Sequence, residues 1–425
     1  MLSNYVCVPT DCPQRAERCG WTADTQVFTK TAMYYSGDTK AFLEKYLVDL
    51  KDCQLADGQY MNASPRGRCG GSFGAFGWSD AGVFIPYYLY KVYEDKKIIE
   101  NSYKSMQLYV DGYLASTDKK GATIRYGDWL NPLFNSEDTR RVLAVAYYAW
   151  VAKYMSEMAA AIGKYDDAKK YQRLFEDEKQ FFNEMYVESD GNIKHMTQTV
   201  ALTTLYLGLV DNPEYVQKYV DYVVKEAVDH DYTVRTGFLG TPMVLPMLSQ
   251  FGHTDVAYKM LLCKEYPSWL YPIEQGATTM WESWNAFTVA DGYRPGGNSL
   301  NHYSFGAVVE WIYAYAAGIR PDNAFKHFVV APEPNRAIGS LKAKYESSYG
   351  LIVSEWTYND DKIEFYIEIP ANTSATVKLP CAINNIEYVN GNRFAKVDGF
   401  SGVHCADGIT TFVAESGKYR IVVNC

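Results

Sequence analysis

Residues 25 to about 320 of this 425-residue chain carry a helical apolar period, and the residues after 322 carry a period of two. The sequence therefore predicts a mainly α fold class, an (α/α)6 six-hairpin barrel over residues 1–322 followed by a small C-terminal antiparallel β-sandwich over 323–425. A second observation supports closure into a barrel. The helical stretches pair, a new pair begins about every 50 residues, and the links within pairs are as short as SGD, GK, DN and FG. Between pairs the links are long and rich in Gly, Trp and acids. An open helical solenoid is the competing arrangement, and the abrupt change to β pattern argues against it. At 48% hydrophobic and 21% charged, the chain can bury a large core, and its length suits two domains.

The helices are predicted over 25–36, 38–54, 79–94, 96–117, 136–162, 164–186, 196–210, 212–230, 241–252, 253–265, a short 276–285 and 303–318. The stretch 135–163 opens with Asn and Ser as capping candidates, has acids in its first turn and ends on Gly. In 212–228, Asn212 stands at the cap and Pro213 at the first helical position. Beyond GIRPDNAF (318–325), the stretches HFVVAPEP, LKAKYESSYGLIVSEWTY, KIEFYIEIP, ATVKLP, IEYVNGNRF and KYRIVVNC alternate. Asn-Gly, Asp-Gly and Pro turns break them into strands.

Composition narrows the function. The net charge is -9 and no Lys/Arg run occurs, which argues against a nucleic-acid partner. The longest apolar stretch, residues 142–152, falls short of the ~20 residues of a membrane span. Residues 1–20 show no basic start followed by an apolar segment, so a cytoplasmic location is the expectation. The nine cysteines are irregularly spaced, without C-x-x-C, and H-E-x-x-H is absent, so reduced thiols and no metal site are expected. Neither a nucleophile elbow of the G-x-S-x-G type nor a phosphate or dinucleotide fingerprint is present, and no cofactor is implied.

The chemistry sits in the long links. They hold Asp11, Arg15, Glu17, Arg18, Trp21 and Asp24, then GAFGWSDAG (74–82), IRYGDWLNP (124–132), GATTMWESWNAF (276–287) and NSLNHYSFG (298–306). Four of these five segments place Trp beside a carboxylate, and that repetition is what makes a carbohydrate site the better reading than chance. Aromatic faces stack on the apolar faces of sugar rings while carboxylates and Arg take the hydroxyls. Cleaving a glycosidic bond needs two carboxyl groups on separate walls of a cleft. Glu17, among arginines and other acids, and Glu282, between Trp281 and Ser283, are the candidates.

DCPQRAERCGWTAD (11–24) resembles the D-C-P-Q-R-D-E-R-x-G-W-x-G-D hallmark of the bacterial inverting α-L-rhamnosidases of glycoside hydrolase family 78. FGWSDAGVFIPY, GDWLNP, GATTMWESW and SLNHYSFGAVVEWIYAYAAGI resemble its later blocks in the same order, so the likeness covers essentially the whole chain. The resemblance implies an (α/α)6 barrel with a C-terminal β-sandwich, and exo-acting inverting hydrolysis of terminal α-L-rhamnose from a glycoside or polysaccharide. It implies Glu17 as general acid and Glu282 as general base. It makes Asp11, Arg15, Trp21 and Asp24 a rhamnose-binding wall, packs Trp78 and Trp129 on the sugar, and sets His302 on its hydroxyls. Asp80, Asp128, Trp281 and Trp284 form a second tier. Ala16 stands where the pattern has Asp, and Ala23 where it has Gly. Family members carry β-sandwich domains ahead of the motif, whereas ten residues precede Asp11 here, so a second copy or a partner is expected to cover the exposed flank. Two alternatives stand beside this reading: another exo-glycosidase or uronyl hydrolase on the same barrel, and an inactive sugar-binding relative.

Overall fold

In the computed structural model, ten helices run as five hairpins: α1 (Thr22–Tyr35), α2 (Thr39–Asp52), α3 (Ala81–Tyr93), α4 (Lys96–Gln107), α5 (Glu137–Ala161), α6 (Tyr165–Tyr186), α7 (Gln198–Leu207), α8 (Pro213–Val228), α9 (Thr241–Gln250) and α10 (Thr254–Leu262). The structure describes residues 1–69, 71–117, 125–133, 135–294, 298–394 and 398–425. The predicted caps form: Ser136 accepts from the Thr139 amide ahead of α5, and Asn212 accepts from the Glu214 amide ahead of Pro213. A π-helical continuation, Leu108–Leu114, lengthens α4 as the 96–117 periodicity expects.

Burial alternates along this series. α1, α3, α5, α7 and α9 are buried on most sides, and α5 alone buries Val142, Leu143, Val145, Tyr147, Trp150, Val151 and Tyr154. α2, α4, α6, α8 and α10 each bury a single stripe, such as Ile98, Ile99, Ser102, Tyr103 and Met106 on α4, or Tyr171, Phe175 and Phe182 on α6. A helix buried all round belongs to an inner layer, and one with a single apolar stripe faces water. The alternation is that of an inner and an outer ring, which is the six-hairpin barrel.

The sixth pair departs from expectation. Its first helix is the single turn α11 (Tyr271–Glu274), and 276–285 is irregular rather than helical. The reason lies in its backbone. The Glu282 amide donates to Ser299 O and the His302 amide to Met280 O, a pairing with a later segment of the same link that a helix at 280–282 would forbid. The second helix begins with a 3-10 turn over Ser304–Val308.

The chain forms two compact units. The first comprises Met1–Lys30, Lys40–Tyr90 and Asp95–Val308, and the second Thr31–Thr39, Lys91–Glu94 and Val309–Cys425. Within the second, α12 (Val309–Trp311) continues as a π turn over Ile312–Ala316. The strands follow as β3 (Ile319–Asp322), β4 (His327–Val330), β5 (Ser340–Ser347), β6 (Gly350–Asn359), β7 (Lys362–Leu379), β8 (Ile386–Val389), β9 (Phe400–Ala406) and β10 (Ile409–Asn424); β1 (Phe287–Thr288) and β2 (Gly292–Tyr293) form a small hairpin in the first unit. β3, ahead of residue 323, is already a strand of this sheet.

β7 and β10 pair antiparallel along nearly their whole length, with a register shift between Glu415 and Gly417. Both halves of β7 feed one core: Ile363, Phe365, Ile367 and Ile369 from one half, and Ala375, Val377 and Leu379 from the other. The sheet is not purely antiparallel. β4 runs parallel to β7 from His327 opposite Ser374 to Val330 opposite Val377. The intervening β5–β6 hairpin supplies the long connection that a parallel neighbour requires. Turn chemistry is as read: Asn390-Gly391 and Asp407-Gly408 all take positive φ, the geometry of a tight primed hairpin turn.

Candidate active site

The stretch ahead of α1 is folded back on itself by Asp11. Its carboxylate accepts from the Cys19 amide at 2.9 Å, and its own amide donates to Cys19 O. Residues 12–18 are thereby forced outward as a loop. On that loop Glu17 is half-buried, and its Oε1 accepts from Trp21 Nε1 at 2.8 Å. Gly20 backs the loop against the next one: the Ser64 amide donates to Gly20 O, and a Cβ at Gly20 would meet Ser64 O at 2.0 Å.

Glu282 arrives from 265 positions away. Its Oε2 accepts from the Ser299 amide at 2.8 Å, with Cys12 Sγ at 3.9 Å and Arg15 Nη1 at 3.8 Å. Glu17 and Glu282 line one cavity of about 250 Å3, together with Asp11, Arg15, Trp21, Asp24, Trp78, Trp129 and His302. All nine belong to the first unit. The long links leading into α1, α3, α5 and the last helix supply these side chains, so the loop class that carries Trp and acid in the sequence is the class that meets in space.

Three lining residues escaped the sequence reading: Tyr126, Phe238 and Asn298. Tyr126 is the centre of the aromatic wall. Its ring lies 4.5 Å from Trp78, 5.7 Å from Trp21 and 6.2 Å from Trp129. A tyrosine among 37 carries no mark of its own, although Tyr126 and Asn298 do stand in quoted loops. Phe238 sits in a link without Trp, and nothing in the sequence singled it out. Ile124, at the head of the third loop, lies outside the described residues.

Beneath Glu17 lies a buried charge cluster. Asp24 Oδ1 is 2.9 Å from His302 Nε2 and accepts from Ser304 Oγ. Burial works against a charged His302, but Asp24, Glu282 and Asp11 outweigh it and raise its pKa. Burial first, and then the Asp24 charge, push Asp11 up to about 6. His302 thus reaches the cavity with one ring nitrogen already committed to Asp24.

The second-tier residues are supports and do not line this cavity. Asp80 accepts from Tyr109 Oη at 2.7 Å and from the Gly77 amide, and burial raises its pKa to about 7. It holds the turn that presents Trp78. Asp128 accepts from the amides of Gly237, Leu239 and Gly240, from Thr199 Oγ1 and from Asn131 Nδ2. This ties the Trp129 loop to the Phe238 loop, where the Phe238 amide also donates to Trp129 O. Trp281 packs edge-on against Phe287, and Trp284 stacks on Phe305 at 4.0 Å. Ala16 is exposed, so the position where the motif has Asp points away from the buried cluster, and Ala23 is buried in the first turn of α1.

The cysteines correct the expectation of free thiols. Cys19 and Cys69 form a disulfide with Cα atoms 6.1 Å apart, closing a separation of 50 residues, and the other seven are free. Bridging depends on proximity in the fold, which irregular sequence spacing does not reveal. Metal-type donors converge at Asp11, Cys12 and His302, whose ligand atoms lie within 4.8 Å of one another. The imidazole is already bonded to Asp24. At the second such group, Glu17 with Cys19 and Cys69, the disulfide takes both sulfurs.

Helix pairs in two rings around a cavity of facing carboxylates and indoles define a six-hairpin glycosidase-type barrel. Residues 1–316 match the bacterial alpha-L-rhamnosidase six-hairpin glycosidase domain, and 318–393 the bacterial alpha-L-rhamnosidase C-terminal domain. The chain belongs to the bacterial alpha-L-rhamnosidase family. It is 37% identical to an alpha-L-rhamnosidase of Streptomyces avermitilis over 99% of this chain and 40% of the relative, and 33% identical to one of Formosa agariphila over 92% and 44%. The crystal structure of the Streptomyces avermitilis alpha-L-rhamnosidase complexed with L-rhamnose superposes with a TM-score of 0.90 at 36% identity, over 99% of this chain and 40% of that one. The alpha-L-rhamnosidase structure from "Dictyoglumus thermophilum" gives 0.89 at 28% identity, over 100% of this chain and 48% of that one. The chain thus spans less than half the length of these relatives.

Proposed function

We propose that this chain carries the site of an exo-acting, inverting α-L-rhamnosidase, with Glu17 as general acid and Glu282 as general base. The observation that carries the reading is that these two carboxylates, far apart in sequence, line the same sugar-sized cavity with Asp11, Arg15 and Asp24. The names of the relatives, and the L-rhamnose bound to one of them, support the choice of sugar.

In this mechanism Glu17 gives its proton to the glycosidic oxygen as the bond to the sugar C1 breaks. Water attacks C1 from the opposite face and loses its proton to Glu282, so the sugar leaves as the inverted hemiacetal. The Ser299 amide and Arg15 hold Glu282 in place, and Trp21 Nε1 orients Glu17. An inverting pair needs its carboxyl groups about 6.5–9.5 Å apart to admit that water. Asp11, Asp24 and Arg15 bind sugar hydroxyls, and the Trp78–Tyr126–Trp129 wall meets the ring faces.

The test is hydrolysis of a synthetic α-L-rhamnoside followed by NMR. The first product is expected to be the β anomer, and Glu282→Gln is expected to abolish turnover while rhamnose still binds. Release of the α anomer first, or substantial turnover by the variant, refutes the assignment.

A further inference from the structure

The acid's position also tells where the leaving group must stand, because a general acid has to reach the oxygen that departs. With Glu17 as the acid, the aglycone therefore lies on the Glu17 side of the cavity, next to the exposed surface that flanks it. Two arginines stand on that flank. Arg18 precedes Cys19 and Arg68 precedes Cys69, and the disulfide between the two cysteines, with Cα atoms 6.1 Å apart, brings both arginines to one place. Cys69 Sγ is 3.9 Å from Glu17 Oε1, so that place is the flank of the acid itself.

Both side chains are exposed, and each guanidinium is tethered through one nitrogen. Arg18 Nε donates to Pro13 O at 2.9 Å, and Arg68 Nη1 donates to Ala16 O at 2.6 Å. Arg66 is exposed on the same short loop. Within residues 13–19 and 64–69, four arginines stand against a single glutamate, in a chain whose net charge is -9. Among the described residues, neither Arg18 nor Arg68 pairs with a carboxylate, and Ala16 between them offers none. Two guanidinium groups tethered on the flank of the acid, each with most of its donors unused, match an anion on the substrate.

We propose that Arg18 and Arg68 select a negatively charged sugar residue on the leaving-group side, so that the substrate class is a rhamnoside of an acidic saccharide, bearing a uronate carboxylate or a sulfate ester. The inference rests on the assignment of Glu17 as acid.

The experiment compares three disaccharides that differ at one carbon: α-L-rhamnosyl glucose, the corresponding glucuronate and the corresponding glucose 6-sulfate. With an exposed Arg–anion pair worth a few-fold each, wild-type kcat/KM for a charged substrate should exceed that for the neutral one about tenfold at low salt. The gain should sit mainly in KM and shrink towards parity at about 1 M salt, where screening reaches ~3 Å. The larger gain, carboxylate or sulfate, identifies the source of the anion. In Arg18→Gln/Arg68→Gln the charged-to-neutral ratio should fall to about one. Taking the ratio within each enzyme cancels any general loss from removing the Arg68 contact with Ala16. Cleavage of the neutral disaccharide with no preference in the wild type, or a preference that survives in the double variant, overturns this inference alone. Release of rhamnose from none of the three overturns the rhamnosidase reading and this inference with it.

Discussion

Asp128 offers a sharp test of how the cavity wall is held, and Asp128→Asn is the perturbation. The carboxylate is buried and accepts five hydrogen bonds. Oδ1 takes the amides of Leu239 and Gly240; Oδ2 takes the Gly237 amide, Thr199 Oγ1 and Asn131 Nδ2. An asparagine keeps one acceptor oxygen and puts an NH2 in place of the other. Whichever way the amide turns, at least two buried donors then face a donor. At about 1–3 kcal/mol for each orphaned group, the variant should lose about 2–6 kcal/mol. That is a large part of the ~5–15 kcal/mol typical of a folded domain. The strain falls on the Trp129 and Phe238 loops, so kcat/KM on an aryl rhamnoside should fall as well. Urea denaturation followed by tryptophan fluorescence reads the stability term. A loss under about 1 kcal/mol with unchanged kinetics would refute the claim that this carboxylate ties the two loops together.

Other predictions follow from the same geometry. Burial and Asp24 raise the folded pKa of Asp11 from 3.8 to about 6. The folded state therefore binds more protons than the unfolded one in that window, and stability should fall by about 2 kcal/mol as pH rises from 4 to 6. Asp11→Asn should flatten this slope, and parallel pH curves for the two proteins would count against it. His302, whose pKa is raised, adds stability that is full below about 6.5 and is lost as pH rises through its folded value. Thiol titration of unfolded protein should find seven thiols before reduction and nine after. Removing the Cys19–Cys69 bridge as Cys19→Ser/Cys69→Ser should cost about 4 kcal/mol from the chain entropy of a 50-residue loop. An unchanged urea midpoint on reduction would contradict that.

Where the sequence was informative, the signal was periodic or local. The helix starts at Ser136 and Asn212 were legible because a cap acts within three residues. The hairpin at Asn390-Gly391 was legible because only a few residues tolerate positive φ in succession. The short helix at 276–285 failed because its backbone donors and acceptors were taken by residues 299–302, a pairing invisible to local propensity. Asp128 stands next to Trp129 just as Glu282 stands next to Trp281, and Asp80 lies two residues from Trp78, yet both aspartates point into the protein to hold turns. Neighbours in the chain share a loop, but side-chain direction is decided by where the loop's backbone bonds go.

By itself, then, the sequence determined the rings of helices, the sheet that follows them, and the class of loop that bears Trp, Arg and carboxylates. Each of these depends on a spacing of residues that any part of the chain can display alone. Only the tertiary structure decided which of those carboxylates meet. It sent Glu17 and Glu282 to one cavity, locked Asp24 onto His302, set Tyr126 at the centre of the wall and joined Cys19 to Cys69. These are contacts between distant segments, and their energies of burial, charge pairing and hydrogen bonding exist only once the barrel has brought the segments within a few ångströms.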